Sequence, residues 1–105
     1  MRYSINLLNE PNQSLNCNLT DDAGNIFAVD INLRTLSDGG LIADIIVDGT
    51  PQRYGVMCNN NMPLLSSNIL GGNLYFQDQC GNEDPYYEDF NDKFLLIYDS
   101  EYRLG

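Results

Sequence analysis

The densest chemistry in the chain lies in residues 81–92. Gly81-Asn82-Glu83-Asp84-Pro85-Tyr86-Tyr87-Glu88-Asp89-Phe90-Asn91-Asp92 sets five carboxylates and three aromatic rings within twelve residues. Clustered carboxylates suit calcium, but these do not follow the D-x-D-x-D-G spacing of an EF-hand loop. Paired carboxylates also carry out glycoside hydrolysis. With 15 Asp and Glu in 105 residues, such pairs arise by chance, and none is singled out. The rings are less easily dismissed, because a merely solvated acidic loop has no need of Tyr86, Tyr87 and Phe90. They either fold back over one end of the domain or stand ready as anchors for another protein, supplying rigid area at low entropy cost. The candidate contact residues are therefore Tyr86, Tyr87 and Phe90, with Glu83 and Asp84 beside them.

The remaining composition mostly excludes. There is no histidine, which removes the commonest general base, the commonest metal ligand and every Ser-His or Cys-His nucleophile pair. Five Lys and Arg against 15 acids leave a net charge of −10. Such a chain cannot neutralise a run of phosphates and is repelled by an anionic membrane surface. Cys17, Cys58 and Cys80 form no CxxC pair and no zinc pattern, so reduced thiols are expected, with Cys17 and Cys58 facing inward. Gly39-Gly40 and Gly71-Gly72 open no helix and lack the Lys and Ser/Thr of a phosphate loop. No catalytic residue, cofactor or metal is assigned. The segment from Met1 to Pro11 has no signal-peptide core, and no apolar run approaches the length that spans a bilayer.

The elements that must position the loop follow a period of two. Tyr3, Ile5 and Leu7 alternate with polar residues, as do Leu15, Cys17 and Leu19. Phe27, Val29, Ile31 and Leu33 share one face of a third strand. Leu41, Ala43, Ile45 and Val47 share one face of a fourth. Asp48-Gly49 between that strand and Gln52, Tyr54, Val56 and Cys58 is a two-residue hairpin signal, because a type I′ turn needs positive φ at both positions. Ile26 to Cys58 thus reads as a three-stranded meander. Met62 to Leu70 reads as a short helical turn or an irregular crossing. Asn73 to Gln77 and Lys93 to Asp99 are further strands, the last buried on both faces by its apolar run. Fourteen asparagines suit the many tight turns between them. The expectation is one all-β domain over residues 1–105: a small antiparallel β-barrel or β-sandwich of about seven strands, with a curled barrel favoured because it hides its edges.

The order of these landmarks resembles the baseplate plug family of contractile-tailed phages. Pro11-Asn12-Gln13 precedes the second strand, the meander carries its Asp48-Gly49 hairpin, and Leu64-Leu65 lies on a crossing segment. Gly71-Gly72-Asn73-Leu74-Tyr75-Phe76, Asp84-Pro85 in the long loop and Leu95-Leu96-Ile97-Tyr98 complete the series. The tryptophan that the family often shows in the meander is absent. The resemblance implies a non-enzymatic virion protein, assembled in the host cytoplasm and packed at the baseplate centre against hub, spike or wedge proteins. Several copies around the tail axis would follow. Two other classes compete. A small-ligand or carbohydrate-binding β-barrel module predicts a pocket lined by tyrosines. A small hydrolase predicts two carboxylates about 5–10 Å apart in a cleft.

Overall fold

The computed structural model describes residues 2–66 and 70–102. Within them the period of two becomes seven strands: β1 (Arg2–Ile5), β2 (Asn12–Thr20), β3 (Ile26–Thr35), β4 (Leu41–Val47), β5 (Thr50–Met57), β6 (Asn73–Asp78) and β7 (Phe94–Asp99). They form two antiparallel sheets, one in the order β2-β3-β4-β5 and one in the order β1-β7-β6.

The meander supplies half of the core. Val29 pairs with Val47, Ile31 with Ile45 and Leu33 with Ala43 across the β3–β4 ladder, all on one face and all buried. Leu74 and Phe76 of β6 and Leu96 and Tyr98 of β7 meet them from the second sheet in the same cluster. Each fully buried aliphatic or aromatic side chain contributes roughly 1.5–3 kcal/mol over its exposed state. The Asp48-Gly49 hairpin forms as expected, with φ of 51° and 80°.

The two sheets stay open as a sandwich rather than curling into a barrel. Where β1 and β2 approach, the contact is a side chain and no ladder forms: the Thr20 N–H donates to the Tyr3 hydroxyl at 3.4 Å. The far edge of β6 is closed by the crossing segment. Asn60 bridges Phe76 in parallel, the Asn61 N–H donates to Phe76 O at 2.8 Å, and the Leu64 N–H donates to Leu74 O at 2.9 Å. The segment around Leu64-Leu65 is therefore an irregular crossing with a bend at Leu64 and not a helical turn; residues 67–69, also within the ambiguous stretch, lie outside those described.

Two further details depart from strict alternation. β5 slips register opposite Asp44, between the Ala43–Val56 and Ile45–Arg53 pairs, where Gly55 takes φ 62°, and this leaves Tyr54 exposed while Val56 packs on the core. β7 is the central strand of its sheet, with Phe94, Leu96 and Tyr98 buried inward; on the opposite face Ile97 is buried as well and Leu95 half-buried. Cys58 is buried, Cys17 half-buried and Cys80 exposed, and all three are free thiols.

Candidate partner-docking site

The acidic aromatic loop joins β6 to β7 and is held from three sides. At its mouth stands Asp78, whose side chain is fully buried. Its Oδ1 accepts from the Cys80 N–H at 2.8 Å and its Oδ2 from the Glu83 N–H at 2.9 Å. Lys93 lies 3.8 Å from Asp78 Oδ2 and 2.9 Å from Glu83 Oε1. Burial pushes the Asp78 carboxyl up, yet the N–H groups of Glu83, Cys80 and Gly81 and the Lys93 ammonium outweigh it and hold the group below the ordinary carboxylate range. The same neighbourhood, led by the Glu83 hydrogen bond, raises Lys93.

The second hold is the segment after β1. Asn9 Nδ2 donates to the carbonyls of Tyr87, Glu88 and Phe90 at 3.0–3.3 Å. Asn91, at φ 71°, exchanges two hydrogen bonds with the backbone of Leu7. These amides fix a single 3₁₀ turn, Tyr87–Asp89. The pattern of two carried no sign of that turn, since it spans three residues without periodicity.

Phe90 is the third hold. It is 1% exposed, in the core cluster, and stacks on Phe76. Of the three rings singled out from the sequence, this one folds back and anchors the loop. Tyr86 and Tyr87 are half-buried, with ring centroids 4.7 Å apart. Hydrogen bonding to Tyr86, with Glu88 and Glu10 nearby, raises the Tyr87 phenol. Glu83 is exposed and ion-paired to Lys93; Asp84 is exposed and accepts the Asn60 N–H at 2.9 Å.

Tyr86 and Asp84 line a cleft of about 350 Å³ whose other wall comes from the β3–β4 hairpin and the end of β5. Asp38, Gly40 and Met57 form that wall, and Pro85 closes the near side. Asp38 uses Oδ1 to accept the Gly40 N–H at 2.9 Å. Met57 is 45% exposed. The cleft thus joins two carboxylates to a thioether and an aromatic ring, a lining that accepts a cationic head on an apolar stem. Asp38 and Met57 are remote in sequence from the loop and belong to the other sheet, and only the packing of the two sheets brings them to it. Among the described residues no group of three or more Cys, Asp or Glu stands close enough to hold a metal ion.

The sequence profile of the family described as cyanophage baseplate Pam3 plug gp18 matches residues 2–101. No curated protein matches the chain.

Proposed function

The chain belongs to the cyanophage baseplate plug family, and on that premise we propose that it acts as a structural piece of the tail baseplate, without catalysis, docking on hub, spike or wedge proteins through the loop of residues 81–92. The observation that carries this reading is the family match over nearly the whole chain. The loop geometry supports it. Phe90 and Asp78 make the loop rigid, so Tyr86 and Tyr87 meet a partner with little ordering cost. The cleft beside Tyr86 takes an Arg or Lys side chain of that partner, with Asp38 and Asp84 as its counter-charges. Several copies arranged around the tail axis would repeat the contact. A ligand-binding module is less well supported, since the cleft is walled by one tyrosine rather than several.

The test is reconstitution with purified hub, spike and wedge proteins. The wild-type chain should co-elute with at least one of them, and Tyr86→Ala combined with Asp84→Asn should weaken that complex about tenfold or more. A chain that binds none of the tail proteins sinks the proposal.

A further inference from the structure

An edge strand presents unpaired N–H and C=O groups that invite another chain, and proteins usually block it. Most edges here are blocked. The crossing segment covers β6. β5 carries Pro51, whose nitrogen has no proton, and the slip at Gly55. β1 spans only four residues. β2 differs from all of them. It runs for nine residues, in unbroken register with β3 from Asn12↔Arg34 to Thr20↔Ile26. It contains no proline, no glycine and no charged side chain.

The phase of its ladder is fixed by the turn that follows. The Asp21 N–H donates to Asn25 O at 3.0 Å. Hydrogen-bonded pairs alternate along an antiparallel ladder, so Gln13, Leu15, Cys17 and Leu19 spend their backbone groups on β3. Asn12, Ser14, Asn16 and Asn18 aim theirs at the open side. Thr20 confirms the phase, because its N–H also points away from β3, toward the Tyr3 hydroxyl. Among the described residues no hydrogen bond uses the outward backbone groups of Ser14, Asn16 or Asn18. The free edge is about 20 Å long at roughly 3.4 Å per residue.

We propose that this edge docks an extended segment of another protein as an added strand, and that the segment has an uncharged centre and basic flanks. The charges around β2 select that occupant. Glu10 precedes the strand, Asp21 follows it, and the strand between them is neutral; Asp22, next in line, is already engaged by the Ser100 hydroxyl. A second copy fits poorly: pairing two β2 edges antiparallel about Asn16 sets Glu10 of each copy beside Asp22 of the other, between chains that each carry −10. The site lies apart from the loop of residues 81–92, and its occupancy does not depend on that loop's role.

The experiment uses the intact chain and short synthetic peptides of alternating Thr and Val, ending in lysines or, as a comparison, in glutamates. In the free chain the amides of Ser14, Asn16 and Asn18 should exchange with solvent quickly, while those of Leu15 and Cys17 exchange slowly. The lysine-ended peptide should slow the fast set and bind about tenfold or more tightly than the glutamate-ended one at low salt. Asn16→Pro removes only an outward N–H, so it should fold and bind the peptide about tenfold more weakly. The proposal is overturned if Asn16→Pro fails to fold, if the fast set is already protected or is unmoved by the peptide, if both peptides bind equally, or if the free chain dimerises in a way that Asn16→Pro abolishes.

Discussion

Phe90 stacks on Phe76 with ring centroids 5.8 Å apart and planes inclined by 24°. One residue sits in the long loop and the other in β6, so a single aromatic pair ties the most acidic segment of the chain to the core. That tie is what lets the two neighbouring tyrosines be both solvent-accessible and fixed.

Replacing Phe90 by Ala should therefore cost about 3–5 kcal/mol, as for other buried aromatics. Tyr86→Ala should cost clearly less, because its ring is only half-buried. Denaturant unfolding of the two variants compares them directly; equal losses would show that Phe90 is not the anchor.

Asn73 is a buried amide that satisfies the crossing segment. It accepts from the Leu65 N–H at 3.0 Å and donates to Leu65 O at 2.9 Å, with no exposure to solvent. Asn73→Ala leaves both Leu65 groups buried without a partner and should destabilise the fold by about 2 kcal/mol or more. An unchanged thermal midpoint would contradict this.

Asp78 makes stability depend on acid. Its folded pKa is held below the unfolded value of 3.8, so its contribution is fully present above that value and is lost as pH falls through the lower, folded one. Asp78→Asn should lower the melting temperature at neutral pH and flatten its fall between neutral and strongly acidic pH. A variant with the wild-type acid profile would show that this carboxylate is not the responsible group.

The thiols should report their burial by reactivity. Cys80 is exposed and should react with a thiol reagent in the native chain. Burial pushes the Cys58 thiol up to about 12 and also raises Cys17, so little thiolate is present at either near neutral pH. Titration should count one fast thiol natively and all three after denaturation. Rapid native labelling of Cys58 would show that the end of β5 opens.

Much of this architecture was written locally. Alternation along Phe27–Leu33 and Leu41–Val47, with Asp48-Gly49 between them, predicts the meander from neighbours alone, because side chains two apart share a face and a type I′ turn is set by the two residues at its tip. The aromatic content of residues 81–92 likewise marks the loop. What no local pattern carries is which ring turns in. Phe90 and Tyr86 lie four residues apart in the same loop, yet Phe90 has Phe76 to stack on while Tyr86 faces Gly39, which offers no side chain.

Composition and alternation already define an all-β chain without histidine chemistry, and the order of its landmarks points to the family. Only the tertiary fold keeps the sheets open, because the crossing segment closes β6 by hydrogen bonds to residues ten or more positions away and Tyr3 meets β2 by a side chain instead of a ladder. It alone also decided that the acidic loop shares a cleft with Asp38 and Met57, and that β2 is left with an open edge. Each is a pairing between segments distant in the chain, set by which surfaces the core brings together rather than by the residues on either side.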